Sequence, residues 1–363
     1  MRQFRGMKPS IFSLFCFFTL LNLSVQSQNS VISGKVIDKE TKQPIPGANV
    51  YLSDTVVGAS TDENGMYSFK TDLSGDYTLS VTFVGYSSKN NPLLLEQNID
   101  IVVNFELVEA TLQLDQIEIS GSDKKWAKQI AQFKDFFLGT DEFATITFIE
   151  NPEVINFEET GADNTLSVSS LEPLIINNHA LGYKISVQFG DVRFDPFSKI
   201  GSYVVFPRFS EMETTSTRQQ KIWEKNRKAS YIGSSRHFFK SLTDNKVRTN
   251  RFAIFPDRDV IEEMKNPRVI QSLYPYNWRE VLRNYTTFMV TDLSLAIGHN
   301  VNLDRGGNPE NLNQLSNIDI KGAHHLLIIN DLGLLYDPSS VELKGKWSRD
   351  RFAKHLPLGY TFN

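Results

Sequence analysis

The chain has 363 residues, 38 Lys and Arg against 42 Asp and Glu for a net charge of −4, and one cysteine, Cys16. A single cysteine excludes a disulfide framework and a thiolate metal cluster, and the length suits two or three domains. Charge is uneven: residues 29–120 hold 5 Lys and 13 acidic residues (net −8), whereas residues 121–363 hold 30 basic and 29 acidic residues (net +1), a balance that argues against a general nucleic-acid binder.

In chain order, residues 1–27 read as a secretory signal peptide. Arg2, Arg5 and Lys8 form a basic start, Ile11 to Leu23 is mostly apolar, and Ser24-Val25-Gln26-Ser27 offers small residues for cleavage. The bulky Phe15 before Cys16, and an apolar run that continues past it, argue against lipidation there. No later segment has eighteen consecutive apolar residues, so no transmembrane helix is expected in the mature chain.

Val31 to Ser87 consists of short β-branched and aromatic runs broken by Gly, Pro, Asn and Asp, which predicts an antiparallel β-sandwich. Tyr77, Leu79, Val81 and Phe83 alternate with Thr78, Ser80 and Thr82 as the two faces of one strand. Asn64-Gly65 predicts a two-residue hairpin turn between Ala59–Thr61 and Met66–Phe69. Pro44 and Pro46 lack amide donors and suit an edge or loop, and Ile99–Leu107 and Leu112–Ile119 read as closing strands.

Gly34-Lys35-Val36, Pro44 to Val50, Thr61 to Gly65 and Phe83-Val84-Gly85-Tyr86 together resemble the carboxypeptidase-regulatory-like domain, a transthyretin-like fold. The resemblance implies a module without peptidase chemistry that begins many exported Bacteroidetes proteins, outer-membrane nutrient receptors among them. Ser60, Asp62 and Asn64 have the spacing of half a calcium loop, but Ser60 replaces the first Asp and Thr71 the closing Glu, so a plain turn is the expectation.

Trp126, Ile130, Phe133 and Phe137 form one helical stripe behind Asp123 as N-cap and before Gly139, predicting a helix over 124–138. Strands are expected at Phe143–Glu150, Val154–Phe157 and 181–189, then at 202–206, 251–255, 286–291, 294–302, 317–320, 323–329 and 333–336. Helices are expected at 218–230, 235–242, 278–284 and 349–355, the last with Ser348 as N-cap and a Trp347/Phe352 staple. Clusters such as Asn151-Pro152-Glu153-Val154, Leu181-Gly182-Tyr183, Asn226-Arg227 and Arg236-His237-Phe238 again resemble exported Bacteroidetes proteins described only as carboxypeptidase-like regulatory domain-containing. That resemblance implies no catalytic residues.

The six histidines show no His-Glu-x-x-His pair, and His324-His325 on a strand would point to opposite faces. Gly233-Ser234-Ser235-Arg236-His237 places Ser near His without a nucleophile elbow, and helix capping by Ser234 or Ser235 is the plainer account. No catalytic residue, cofactor or metal site is therefore assigned. The most distinctive charge feature is 218–251, with ten basic residues against Glu224 and Asp244. Within it Lys221, Lys225, Arg227, Lys228, Arg236 and Lys240 are the candidate surface for an anionic partner such as a glycan, lipopolysaccharide or another envelope protein.

The expectation is a multidomain chain: signal peptide 1–27, an all-β transthyretin-like sandwich over 29–120, and a β-rich α+β domain over 121–363. The expected function is that of an exported periplasmic or outer-membrane/cell-surface protein with a binding or scaffold role. A hydrolase acting on glycan or peptide through the second domain is the alternative. A further alternative, a protein associated with an outer-membrane β-barrel, sits poorly with helices inserted among the strands.

Overall fold

A computed structural model describes residues 29–110, 122–160, 165–170, 172–256, 273–276, 285–290, 294–303, 309–321 and 326–360. The expected signal peptide, the strand at Leu112–Ile119, the helix at 278–284 and His324-His325 lie outside the described residues.

Among the described residues nine strands build the first part: β1 (Ser30–Asp38), β2 (Asn49–Leu52), β3 (Gly58–Ser60), β4 (Met66–Thr71), β5 (Gly75–Thr82), β6 (Tyr86–Ser87), β7 (Lys89–Leu95), β8 (Asp100–Val102) and β9 (Phe105–Glu109). One sheet runs β4-β1-β9-β6 with β8 also on β1, and the other runs β3-β2-β5-β7. Ile32 and Val36 of one sheet pack on Val50, Leu52, Leu79 and Val81 of the other, as the alternation predicts. Two pairings depart from the antiparallel expectation: β1 runs parallel to both β8 and β9. The chain returns to the free edge of β1 after crossing the second sheet, and a crossover, unlike a hairpin, brings it back in the same direction.

The Asn64-Gly65 turn is real but is not a two-residue hairpin. β3 pairs with β2 and β4 with β1, so the turn carries the chain between sheets. Gly65 N–H bonds Asp62 O at 2.9 Å, and the Asp62 carboxylate accepts the Asn64 and Met66 N–H groups at 2.9 and 2.8 Å. Only Gly65 takes positive φ (+72°).

The rest is β-rich, with three α-helices among the described residues. α1 (Ser122–Phe137) is followed by β10 (Thr147–Ile149), β11 (Ile155–Thr160), β12 (Thr165–Ser170), β13 (Leu174–Asn178), β14 (Tyr183–Phe194) and β15 (Gly201–Glu211). These strands form one sheet in the order β10-β13-β14-β12-β11, with β15 on the other edge of β14. The apolar stripe of α1 lies on this sheet: Phe133 and Phe137 stack at 5.1 Å, Phe136 stacks on Phe194 at 4.8 Å, and Trp126 Nε1 donates to Ile155 O at 3.1 Å. α2 (Thr217–Tyr231) and α3 (Ser235–Thr243) follow, then β16 (Phe252–Pro256), β17 (Leu273–Tyr276), β18 (Tyr285–Val290), β19 (Ser294–His299), β20 (Leu315–Ile320), β21 (Leu326–Asn330) and β22 (Val341–Gly345). They make a four-stranded sheet β16-β19-β20-β22 and a three-stranded sheet β17-β18-β21. The whole is a β-sandwich followed by a β-rich α+β region, as expected.

Local differences have local causes. Asp141 accepts the Phe143 and Ala144 N–H groups and starts a 3₁₀ turn over Ala144–Ile146, so the strand expected at Phe143–Glu150 begins only at Thr147. Asn330 Oδ1 accepts the Leu332 and Leu334 N–H groups, which makes the 333–336 segment a turn with one bridge, not a strand. The last expected helix is two 3₁₀ turns, Trp347–Arg349 and Phe352–Lys354. Ser348 does not cap them, since its hydroxyl donates back to Gly345 O. Trp347 belongs to the core beneath α3 and Phe352 to the core beneath α1, so the two rings staple nothing to each other.

The sandwich is seated on the second part. Asp54 N–H donates to Pro207 O at 2.7 Å, Tyr51 OH to Phe206 O at 3.1 Å, and Arg208 Nη1 to Asn49 Oδ1 at 2.7 Å. Leu358, from the far end of the chain, is buried in the sandwich core.

Candidate functional site

Of the six basic residues expected to form an anionic-partner surface, Lys221, Lys225 and Lys228 are exposed on α2. Arg227 is not on that face, and the expectation that it is a surface charge is corrected. Its side chain is 14 % exposed and lies 4.0 Å over the Tyr183 ring. It donates through Nε to Leu181 O at 2.8 Å and through Nη2 to Gly182 O at 3.4 Å, and it pairs with Glu211 at 3.1 Å. Trp223, one turn earlier, donates through Nε1 to His179 O at 2.9 Å, and the neighbouring Asn226 donates through Nδ2 to Ala180 O at 2.8 Å. α2 thus reads four successive carbonyls of the β13–β14 turn. A groove of about 930 Å³ beside it is lined by Glu211, Glu213 and Glu224 with Arg227 as its one cation, an unfavourable setting for an anion.

Arg236 and Lys240, on α3, are likewise engaged. The Arg236 guanidinium donates to Leu356 O at 3.2 Å, to Pro357 O at 3.0 Å and to Leu358 O, which fixes the terminal segment. Burial pulls its pKa below the ordinary value, against the raising influence of Tyr231, Asp54 and Tyr77. Lys240 pairs with Asp244 one turn on. Ser234 caps α3: its hydroxyl accepts His237 N–H at 3.1 Å and donates to Tyr231 O at 2.7 Å, so it is not poised as a nucleophile. His237 Nδ1 accepts Gly233 N–H at 3.1 Å.

The structure gathers a different basic group. A cleft of about 1200 Å³ lies between the β14–β15 turn, the end of α1, β22 and the 3₁₀ turns at 347–354. Lys199, Lys321, Lys344, Lys346, Arg349, Arg351 and Lys354 line it, against Asp135, Asp141, Glu342 and Asp350. Lys199 pairs with Asp135 at 2.6 Å, Lys321 with Glu342 at 3.0 Å, and Lys344 with Asp319, which stands behind the wall. Lys354 bridges Asp141 at 2.8 Å and Asp350 at 3.2 Å. Arg351 lies 5.4 Å over the Phe136 ring and donates to Lys199 O at 3.3 Å. Lys346 and Arg349 enter no ion pair among the described residues, and with Asp319 counted the seven cations still exceed five carboxylates by two.

Electrostatics follow from that packing. Burial raises the Asp350 carboxyl above its ordinary pKa, and the Lys354 ammonium only partly opposes this. Burial also works to raise Asp141, but the hydrogen bonds from Lys354 and the Ala144 and Phe143 N–H groups outweigh it and hold Asp141 low. The same two carboxylates overcome the burial of Lys354 and keep its pKa high. A second cavity of about 490 Å³ shares Trp347, Asp350, Arg351 and Lys354 with the cleft and reaches the sandwich at Asp54, whose carboxylate meets His355 Nε2 at 2.5 Å. The arrangement can hold oxyanions. Five of its seven cations, Lys344, Lys346, Arg349, Arg351 and Lys354, fall within residues 344–354, a short basic run that the sequence reading passed over, while Lys199 and Lys321 join them only through the fold.

The comparisons with known proteins concern the first part. Residues 32–119 match the CarboxypepD_reg-like domain. Apart from the first two residues of β1, the sandwich strands fall within that match, which agrees with the resemblance carried by Gly34-Lys35-Val36 and the turn at Thr61–Gly65. TonB-dependent receptor P39 of Formosa agariphila is 32 % identical over 118 residues, 32 % of this chain and 10 % of the receptor. TonB-dependent receptor P3 of the same organism is 27 % identical over 106 residues, 29 % of this chain and again 10 % of the receptor. The chain thus spans about a tenth of the length of these relatives. Among solved structures, a type II cohesin–X-dockerin complex of Acetivibrio cellulolyticus aligns with 21 % of this chain and 51 % of its own at 24 % identity and a TM-score of 0.18. A DUF3823 family protein of Bacteroides ovatus aligns with 51 % of this chain and 82 % of its own at 10 % identity and a TM-score of 0.18. Among the described residues no helix is long and apolar enough to cross a membrane, which says nothing of a β-barrel.

Proposed function

We propose that this is an envelope protein whose sandwich is a non-catalytic docking module and whose second domain, beginning near Gly121, binds an acidic envelope glycan or the phosphate groups of lipopolysaccharide in the basic cleft. The observation that carries the reading is the excess of cations there, with Lys346 and Arg349 outside any ion pair among the described residues. Such a site attracts an oxyanion without first breaking an internal pair. The basic start followed by an apolar run, and the similarity of the first part to TonB-dependent receptors, support an exported, envelope location. The scaffold role rests on the seating of the sandwich through Asp54, Tyr51 and Asn49.

The test is calorimetric titration of the protein with a phosphorylated core oligosaccharide freed of its lipid. Wild type is expected to bind, with affinity falling steeply as salt rises. Lys346→Glu with Arg349→Glu is expected to lose at least tenfold in affinity. Lys221→Glu, Lys225→Glu and Lys228→Glu together are expected to change it less than twofold. The opposite ranking would move the site to the α2 face that the sequence singles out.

A further inference from the structure

Phe197 and Ile200 are the two most exposed large apolar side chains among the described residues, at 73 % and 72 %. They stand three residues apart on the turn that joins β14 to β15, and this turn is tightly built. Asp195 accepts the Phe197 N–H at 2.8 Å and the Ser198 hydroxyl at 2.7 Å, while Asp195 N–H donates to Ile200 O at 2.8 Å. Gln132 of α1 donates to Pro196 O at 3.2 Å, and the Lys199–Asp135 pair ties the turn to α1 a second time. Two apolar side chains are therefore held outward by a pinned turn. The two are too small a patch for a stable protein–protein interface, which needs on the order of 800 Å² from each partner.

Their surroundings are cationic. Lys128 Nζ lies 6.0 Å from the centre of the Phe197 ring. Ser198, Lys199 and Ile200 form part of the wall of the basic cleft that also holds Lys346 and Arg349. The nearby carboxylates are occupied: Asp195 caps the turn, Asp135 holds Lys199, and Asp191 pairs with Arg193 at 2.9 Å. A free polar glycan has no use for an apolar rim, whereas an anion displayed on an apolar layer meets the rim and the cleft together.

We propose that the β14–β15 turn is a membrane-docking tip, which inserts Phe197 and Ile200 into the headgroup layer of an anionic lipid surface while Lys128, Lys346 and Arg349 face the lipid phosphates. This rests on the anion-binding reading of the cleft and narrows it to an anion carried by a lipid surface.

The experiment is co-sedimentation of the full chain with vesicles of phosphatidylcholine containing about one-third phosphatidylglycerol, with pure phosphatidylcholine as control. In parallel, the lipid-free phosphorylated oligosaccharide is titrated calorimetrically. Wild type is expected to sediment with the anionic vesicles and at least tenfold less with the neutral ones. Phe197→Asp with Ile200→Asp, or the milder pair Phe197→Ser with Ile200→Ser, is expected to reduce vesicle binding at least tenfold and to leave oligosaccharide binding unchanged. Vesicle binding that survives both double variants, or that wild type lacks altogether, overturns the docking tip whatever the oligosaccharide does. Vesicle binding that needs Phe197 and Ile200 but is indifferent to Lys346→Glu with Arg349→Glu overturns the cleft reading and leaves the tip standing.

Discussion

His237 shows how packing sets chemistry at a single residue. Burial on the inward face of α3, with the His299 ring 5.8 Å away, lowers its pKa from 6.5 to about 4. An unfolded imidazole takes up its proton near 6.5, so between that value and 4 the unfolded chain binds a proton that the folded chain refuses. Stability contributed by neutral His237 is therefore fully present above pH 6.5 and falls as pH drops through this window, by at most about 3 kcal/mol. The urea midpoint is expected to decrease from pH 7 to pH 4.5, and His237→Gln, which keeps an acceptor for Gly233 N–H, is expected to flatten that decrease. An unchanged slope in the variant would assign the pH dependence to other groups. Gly65 gives a second test at this scale. Its φ of +72° already disfavours a side chain, and a Cβ there would lie 2.5 Å from Val36 O. Gly65→Ala is expected to cost on the order of 1–3 kcal/mol, read as a lower melting temperature.

Among elements, α2 is where sequence and structure part most instructively. Its extent was legible to within a residue at each end, 218–230 against Thr217–Tyr231. The role of Arg227 was not. A guanidinium within a run of lysines looks solvated, and only the arrival of the β13–β14 turn against the helix turns it inward. The turn fits because Gly182 leaves room: a Cβ there would stand 2.3 Å from the Trp223 ring. Arg227→Ala is expected to destabilise the protein by about 2–4 kcal/mol through a bare Leu181 carbonyl and a lost ring contact, since Gly182 O keeps the Met212 N–H. Lys225→Ala, two residues away and exposed, is expected to change stability by less than about 0.5 kcal/mol. Chemical denaturation of the two variants checks the contrast, and equal effects would mean that Arg227 is no clamp. The same logic sorts the strands. β5 and β14 were readable from alternation, whereas β22, Val-Glu-Leu-Lys-Gly, carries too little apolar signal and exists because β20 pairs with it. The 3₁₀ turns at 144–146 and 347–354 depend on side-chain acceptors and distant cores, which periodicity does not encode.

At the scale of the whole molecule, the cleft and the seating of the sandwich share one piece of chain. Residues 347–354 wall the cleft, and residues 355–360 run on beneath α3 to the sandwich. Asp54 stands at the junction with φ +61°, its N–H on Pro207 O, its C=O accepting Leu358 N–H at 2.6 Å and its carboxylate on His355. Asp tolerates this left-handed conformation better than most residues, and no local pattern in the sequence marks its role. Leu358 then fills the sandwich core while the Arg236 guanidinium holds the carbonyls on either side of it. Removing the Arg236 guanidinium takes the side-chain donor from the Leu356 and Leu358 carbonyls, while Pro357 O keeps the Tyr360 N–H, and frees the segment that carries Leu358. Calorimetry of the full chain is expected to show one transition in wild type. In Arg236→Ala two are expected, because the sandwich keeps its own sheets but loses its seat. Asp54→Ala is expected to separate the transitions in the same direction and less far, since Arg236 still fixes the terminal segment. A single transition in Arg236→Ala, merely shifted downward, would show that the sandwich and the β-rich part are joined by more than this segment.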